Sequence, residues 1–190
     1  MLKNLRIQNF KGWKDTGHIR MAPISLFFGA NSSGKSSIGQ FLMMLKQTVE
    51  SPDRKAVFYP GGKNSAVQLG SYQEMVFHRN PENKIAFDYR WSLPEMLKFK
   101  DPLSSQTFTG DNISFHAEIS LGDKDQHTLV LDHLRYELLE KDESRLSVGM
   151  ERKSDTKSEY KVNATDYPLK RKQGRAWSPG APVRFYGFPD

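Results

Sequence analysis

The chain contains no cysteine among its 190 residues. That absence excludes disulfide bonds, cysteine-ligated zinc and a thiol nucleophile, and it suits a reducing compartment. No apolar run approaches the roughly 18 residues that a membrane-spanning helix needs, and the N-terminus lacks the apolar region of a signal peptide. We therefore expect a cytoplasmic protein with no membrane partner.

Repeats and low-complexity tracts are also missing, and few residue patterns suggest metal or acid–base chemistry. The HExxH pattern of zinc hydrolases does not occur, and Asp123 and Asp125 lack the later ligands of a calcium loop. We interpret the five histidines as ordinary surface or packing residues: His18, His78, His116, His127 and His133.

Charge is present but unevenly spread over a net +6. Residues 1–63 carry 10 basic and 3 acidic residues (net +7), residues 64–150 carry 9 and 14 (net −5), and residues 151–190 carry 9 and 5 (net +4). A basic N-terminal segment fits the binding of polyphosphate or nucleic acid. The dense cluster from Lys170 to Arg175, close to Trp177, is more typical of a solvated loop, because it is short and leads into a Pro-rich stretch.

The most informative motif is Gly29-Ala-Asn-Ser-Ser-Gly34-Lys35-Ser36, which matches the phosphate-binding pattern GxxxxGK[ST] at every fixed position. Its context fits. The apolar run Ile24-Ser-Leu-Phe-Phe28 predicts a buried strand entering the loop. After the loop, Ile38, Phe41, Leu42, Leu45 and Val49 recur at helical spacing, and Ser51-Pro52 predicts the end of that helix.

The chemistry assigns a separate role to each part of the motif. Gly29 and Gly34 permit close approach of the backbone, so that N–H groups of the loop and helix can bind phosphate oxygens. Lys35 adds positive charge for the β and γ phosphates, and Ser36 offers a hydroxyl to Mg²⁺. The full candidate set for ATP and Mg²⁺ comprises Gly29, Ala30, Asn31, Ser32, Ser33, Gly34, Lys35, Ser36 and Ser37.

The remainder of the chain is rich in predicted strands. Leu2 to Phe10 predicts a strand, with His18 to Met21 returning as its partner, so the chain opens with a hairpin. Alternating patterns over 85–91 and 113–121 predict half-buried strands, residues 128–139 favour strand over helix, and 144–152 with 158–164 suggest a polar hairpin. We divide the chain into residues 1–63 with the phosphate loop, a largely antiparallel β subdomain over 64–167, and a basic tail over 168–190.

One phosphate loop followed by a long β run is unlike an ordinary doubly wound domain. The opening Leu2-Lys-Asn-Leu-Arg-Ile-Gln-Asn-Phe-Lys-Gly12 and the segment Pro23 to Ser37 resemble the N-terminal lobe of ABC-type ATPases of the SMC, RecF and OLD kind. A closer resemblance, carried also by Leu69 to Phe77 and Val183 to Pro189, is to bacterial AAA-type ATPases found with phage-defence genes. The implied fold class is α/β (α+β), a P-loop head lobe with a mixed sheet and an antiparallel β subdomain.

The resemblance also implies a function. Such heads bind ATP and Mg²⁺ between two copies, each head offering a signature motif to the nucleotide of the other, so a homodimer or higher oligomer is expected, with nucleic acid or an effector protein as partner. By position, Lys11 matches a basic residue that reaches toward the phosphates. Gln68 or Gln73 corresponds to a glutamine that senses Mg²⁺.

Two other elements of the family pattern have only imperfect counterparts. Leu129-Val-Leu-Asp132 resembles the acidic strand end, but His133 stands where a catalytic glutamate is expected. Ser120 to Gln126 imitates a signature loop, yet it lies too close to Asp132 for the helix that should intervene, and Gly122-Asp123 is interpreted as a hairpin turn. We therefore expect the missing elements to lie beyond this sequence and the chain alone to hydrolyse little ATP.

Two alternatives stay open at this point. The first is a self-contained P-loop kinase or GTPase that uses Asp132 for Mg²⁺. The second is a binding module with a vestigial phosphate loop, whose basic surface meets nucleic acid or a protein.

Overall fold

The structure is a computed structural model that describes residues 1–101, 105–122, 125–154, 159–165 and 179–188. It opens with β1 (Leu2–Phe10), which pairs antiparallel with β2 (Trp13–Asp15) and then with β3 (Ile19–Arg20). The predicted hairpin is confirmed. Its turn places Phe10 opposite Trp13, which brings the Trp13 side chain to the edge of the sheet beside the phosphate loop.

Helix α1 (Lys35–Glu50) leaves the phosphate loop, as the periodicity predicted. It ends before Ser51, whose extended backbone (φ −62°, ψ 140°) is the conformation that the following proline favours. Ile38 and Phe41 are buried as expected, but Val49 is 48% exposed. The buried face instead continues through Met44, Gln47 and Thr48. The prediction that Val49 belongs to this face is therefore wrong.

The predicted strand over residues 24–28 is not formed. This described segment pairs with no strand of the described chain, and Ile24, Leu26 and Phe28 are 80%, 73% and 87% exposed. An apolar run becomes a buried strand only when neighbouring strands accept its backbone hydrogen bonds. Both edges of β1 are already paired, one with β2 and β3 and the other with β4, so β1 cannot accept the 24–28 segment as a neighbour.

Residues 51–83 form a connection with two short helices, α2 (Tyr72–Met75) and a 3₁₀ turn (Phe77–Arg79). Side chains of the regular elements fix this connection. The Gln47 amide donates to the carbonyl oxygens of Tyr59 (2.8 Å) and Val67 (3.3 Å). The Tyr72 hydroxyl donates to the carbonyl of Asn83 (2.6 Å), which ties α2 to the start of the following strand.

Five long strands complete an antiparallel meander: β4 (Ile85–Lys100), β5 (Thr107–Gly122), β6 (Asp125–Glu140), β7 (Glu143–Arg152) and β8 (Tyr160–Thr165). The strands predicted at 85–91, 113–121, 144–152 and 158–164 are confirmed in the described residues, and residues 128–139 are strand. β4 extends beyond its predicted end because it resumes after a register shift between Ser92 and Leu97, which accommodates Pro94. Gly122 is the last residue of β5, and the other residues of the hairpin turns expected at Gly122-Asp123 and Asp155-Thr156 lie outside the described residues.

The described strands form one eight-stranded sheet in the order β2-β1-β4-β5-β6-β7-β8, with β3 also on β1. The fold class is α/β with an antiparallel sheet. The mixed sheet that we expected is not found among the described strand pairs, all of which are antiparallel, because the 24–28 segment that would have added a parallel neighbour is not a strand.

One face of the sheet carries the core, and α1 packs across it. Aromatic rings dominate the contact: Phe41 lies edge-on to Phe10 and Phe87 with centroids 5.1 Å apart in each pair, and Phe87 contacts Phe185 at 5.7 Å. Such edge-to-face pairs add about 0.5–1.5 kcal/mol each beyond the area they bury. The core therefore anchors α1, and with it the phosphate loop.

Residues 179–188, part of the segment that the sequence assigned to a basic tail, return to this core. Phe185 is buried, and the buried Arg184 guanidinium donates to the carbonyls of Val49 and Ser51, the latter at 2.6 Å. A cation at these carbonyls satisfies acceptors that the end of α1 leaves free. The basic cluster 170–175 and Trp177 lie outside the described residues.

No helix in the described part of the chain has the length and apolarity needed to cross a membrane.

Candidate phosphate-binding site

The loop that precedes α1 is held in a conformation that favours glycine. Gly29, Ser32 and Gly34 have φ values of 154°, 62° and 87°. Positive φ turns successive backbone N–H groups toward one side, and a loop of this kind forms a concave surface that binds anions. The two glycines of the motif thus occupy positions where side chains are strained.

No side chain caps the N-terminus of α1, and only the N–H of Ser37, among the N–H groups of the first turn, donates within the described chain, to the carbonyl of Gly34 at 3.0 Å. Its N-cap, Gly34, has no side chain to accept a hydrogen bond, and the first turn contains no acidic residue. Helix α2 is the contrast, since the carboxylate of Glu74 accepts the N–H of Ser71 at 2.7 Å and closes a capping box. The positive end of the α1 dipole therefore stays available to an external anion.

The loop and helix enclose a cleft of about 230 Å³. Six of the predicted residues line it together with Gly12, which sequence reasoning did not select: Ser32, Ser33, Gly34, Lys35, Ser36 and Ser37. The volume is below the roughly 300–1,000 Å³ of a pocket for a whole drug-sized ligand. It suits the phosphate chain of a nucleotide, with the nucleoside lying outside.

Lys35 provides the positive charge of the cleft. Its Nζ donates to the backbone carbonyls of Gly29 (2.8 Å) and Ala30 (2.6 Å), so these two predicted residues take part through their oxygens. Both bonds are made by a flexible, exposed ammonium, which can exchange the carbonyls for phosphate oxygens at small cost. Ser36, an exposed residue in the first turn of α1, lines the same cleft.

The remaining predicted residues lie at the margin of the cleft or away from it. Asn31 is exposed and does not belong to the lining. Lys11 precedes the lining residue Gly12, but its backbone N–H donates to the carbonyl of Met75 at 2.6 Å, which fixes the hairpin turn against α2. Gln68 donates to the carbonyl of Lys63 at 3.1 Å, and neither it nor the exposed Gln73 belongs to the lining.

Sequence reasoning missed Trp13, which supports the loop from the sheet side. Its indole Nε1 donates to the carbonyl of Gly34 at 3.0 Å. A Cβ at Gly34 would come within 2.7 Å of that nitrogen, so the indole packs where only a glycine leaves room. The signal was present in the hairpin itself, because its short turn returns residue 13 to the level of Phe10.

Asp132 does not contribute to this cleft. It lies in the middle of β6, is 8% exposed, and pairs with Lys84 at 2.9 Å and Arg152 at 3.4 Å. A carboxylate enclosed by two cations compensates charge within the sheet. Because β6 continues from Asp132 to Glu140, Leu129 to Asp132 is not an acidic strand end.

Comparison with known proteins gives one family. A sequence profile described as an AAA ATPase domain matches residues 1–173. A search of curated proteins found no match. The matched region contains the whole phosphate loop, α1, the cleft and the described sheet.

Proposed function

The chain belongs to the AAA ATPase domain family, and from this premise we propose that residues 29–37 bind the phosphates of ATP with Mg²⁺. The observation that carries the proposal is the uncapped N-terminus of α1, which opens into a cleft lined by glycines, serines and Lys35. Two sources of attraction converge there: the backbone N–H groups at the positive end of the helix dipole, and an ammonium group.

Each residue of the cleft has a distinct part in this proposal. The N–H groups of the loop and of the first turn bind phosphate oxygens, and Lys35 leaves the carbonyls of Gly29 and Ala30 to bind the β and γ phosphates. The Ser36 hydroxyl is the protein ligand expected for Mg²⁺, an ion that prefers oxygen donors and keeps several waters. When bound, the ion neutralises charge on the phosphates.

Hydrolysis requires a group that positions or activates water, and the cleft lining of glycines, serines and one lysine offers no such side chain. We infer that the chain acts as one head of an SMC/RecF/OLD-like ATPase and that a second head completes the site. The exposed apolar segment 24–28, directly before the loop, supports an interface beside the nucleotide.

A nucleotide titration tests the binding step. Calorimetry with ATP and Mg²⁺ should give one site per chain, and Lys35→Ala should abolish measurable binding. Lys46→Ala is the matched control, because Lys46 lies on the same helix and makes only an exposed pair with Glu50 at 3.8 Å. Equal ATP affinity in the two variants would contradict the proposal.

Sedimentation tests the assembly step separately. Saturating ATP and Mg²⁺ should shift the wild-type chain toward a dimer, whereas Lys35→Ala should stay monomeric. Leu26→Ser, at the 73% exposed apolar position, should bind ATP normally but dimerise less. A chain that binds ATP and stays monomeric would refute an interface formed by the 24–28 segments of two copies of this chain and leave the binding proposal intact.

The proposed partners follow from charge and resemblance. The net +7 of residues 1–63 supports contact with nucleic acid, and the resemblance to phage-defence ATPases supports control of an effector in anti-phage defence. DNA binding that weakens with salt and strengthens with ATP would support a DNA-processing head. Salt-dependent binding indifferent to ATP and to Lys35→Ala would favour a nucleic-acid-binding module instead.

A further inference from the structure

A second cluster of chemically active side chains lies on the sheet face opposite the core. On β5, Phe115 and Ala117 point into the core, so His116 and Glu118 point together to the other face. The register places Asp88 of β4 opposite His116, and His133 of β6 opposite Glu118. Neighbouring strands thus bring two imidazoles and two carboxylates to one patch.

The distances within this patch are short. His116 Nδ1 lies 2.7 Å from an oxygen of Asp88, and His116 Nε2 lies 3.3 Å from an oxygen of Glu118. One ligand atom from each of His116, Glu118 and His133 lies within 4.8 Å of the others. All three side chains are only partly exposed, so the sheet restricts their rotamers.

These donors suit a transition metal in type and in arrangement. Imidazole and carboxylate are zinc ligands, with bonds of about 2.0–2.2 Å. Tetrahedral bonds of that length separate two ligand atoms by roughly 3.4 Å. The two ligand atoms that lie farthest apart, up to 4.8 Å, would therefore have to approach each other by about 1.4 Å. That is a movement of roughly 0.7 Å for each side chain, which small χ rotations provide.

Asp88 is placed to accept a hydrogen bond from the ring nitrogen of His116 that faces away from Glu118. A metal-binding histidine donates its second ring N–H to a carboxylate or carbonyl, which fixes the tautomer and the ring orientation. Asp88 stands at His116 Nδ1, so Nε2 is directed at Glu118 and the open side of the cluster. If Asp88 and Glu118 served only to neutralise a charged His116, a second imidazole would not be needed beside them. His133 nevertheless places a ligand atom within 4.8 Å of those of His116 and Glu118.

We propose that His116, Glu118 and His133 form a site for a divalent first-row transition metal, with Zn²⁺ as the expected ion and Asp88 as the positioning residue. His116 binds through Nε2, and Glu118 through a carboxylate oxygen. Three protein ligands leave one coordination position for water or a further ligand. The site is separate from the phosphate loop, since none of its residues lines that cleft.

The surrounding charges are compatible with a cation. Arg135 stands opposite His116 in the register, but its guanidinium pairs with Glu137 at 3.7 Å. Glu151 stands opposite His133 on β7 and adds negative charge on the far side. Asp88, Glu118 and Glu151 contribute three carboxylates, and the two other cations that act on the patch, Arg6 and Lys84, are paired with Asp15 and Asp132.

A metal titration of the nucleotide-free chain, freed of any affinity tag, tests the site. Calorimetry with Zn²⁺ should give one saturable site, and Co²⁺ should give the visible absorption of a tetrahedral complex. Glu118→Gln and His133→Gln keep the side-chain size and should each weaken Zn²⁺ binding at least tenfold. Millimolar Mg²⁺ should not compete, because Mg²⁺ demands octahedral oxygen ligands.

Matched controls separate the cluster from adventitious histidine binding. His18→Gln should leave Zn²⁺ affinity unchanged, because His18 lies at β3 and contacts Asn4 instead. Asp88→Asn should lower the affinity roughly 10- to 100-fold while retaining the tetrahedral Co²⁺ spectrum. Circular dichroism verifies that each variant folds.

Absence of saturable Zn²⁺ binding by the folded wild-type chain would overturn the proposal. So would a Zn²⁺ site with unchanged affinity in Glu118→Gln and His133→Gln, since that site would lie elsewhere. Neither outcome affects the ATP-binding proposal, whose test uses Lys35→Ala.

Discussion

Gly34→Ala should destabilise the protein and weaken its ATP binding, because two constraints meet at this residue. The backbone has φ 87° and ψ 5°, a left-handed conformation that costs a residue with a Cβ about 1–2 kcal/mol. The added Cβ would also lie 2.7 Å from Trp13 Nε1, so the indole must move and its 3.0 Å hydrogen bond to the Gly34 carbonyl is lost. A hydrogen bond of this kind contributes about 0.5–1.5 kcal/mol.

Together these terms predict a loss of about 1.5–3.5 kcal/mol in the free energy of unfolding. For a chain of this size that corresponds to a drop of roughly 3–14 °C in Tm. The ATP affinity should fall at least about tenfold, or 1.4 kcal/mol, because the loop N–H groups no longer converge.

Gly39→Ala is the control. Gly39 lies on the exposed side of α1, and a Cβ there would meet no atom within 4 Å. Alanine in that position should stabilise the helix by about 0.5–1 kcal/mol and leave ATP binding unchanged. Urea unfolding and ATP calorimetry on both variants decide the matter. If Gly34→Ala matched Gly39→Ala in both stability and affinity, the geometric account of the loop would be refuted.

Three further predictions concern stability. Arg184→Ala should lower the free energy of unfolding in urea by about 2–4 kcal/mol, because it removes a buried cation from the carbonyls at the end of α1, including that of Ser51. An unchanged free energy of unfolding would mean that water replaces the guanidinium. Phe41→Ala should cost about 3–5 kcal/mol, because it empties the centre of the aromatic core, and a loss below 1 kcal/mol would contradict that packing. His116 gives a pH dependence in chelator-treated protein: burial alone would lower its pKa, but hydrogen bonds to Asp88 and Glu118 outweigh burial and raise the pKa to about 9. The resulting stabilisation, up to about 3 kcal/mol, should be complete below pH 6.5 and disappear as the pH rises through 9, whereas His116→Gln should show a flatter profile in pH-dependent unfolding.

Local patterns predicted most of the fold. The strand positions and the bounds of α1 follow from alternation, helical spacing and Pro52, which act within a few residues. The 24–28 segment shows where local patterns fail. Its composition is that of a buried strand, but burial depends on a neighbouring strand, and sequence alone does not reveal which edges of the sheet are free.

The two candidate sites also differ in how well local sequence patterns predict them. The phosphate loop was predictable because its function depends on consecutive residues. Sequence reasoning interprets His116 and His133 as ordinary surface or packing residues, because their proximity to each other and to Glu118 depends on the β5–β6 register, and two register shifts separate the turn from the cluster. Sequence patterns do not identify Trp13 and Arg184, because each side chain donates hydrogen bonds to backbone carbonyls, and such contacts leave no sequence motif.

A crystal structure of the chain with a non-hydrolysable ATP analogue and Mg²⁺ would test the central claim most directly. We expect the phosphates at the N–H groups of residues 33–37, Mg²⁺ on the Ser36 hydroxyl, and Lys35 Nζ moved from the Gly29 and Ala30 carbonyls to the phosphates. Nucleotide bound at another place, or phosphates in the cleft with Lys35 still on its two carbonyls, would contradict it.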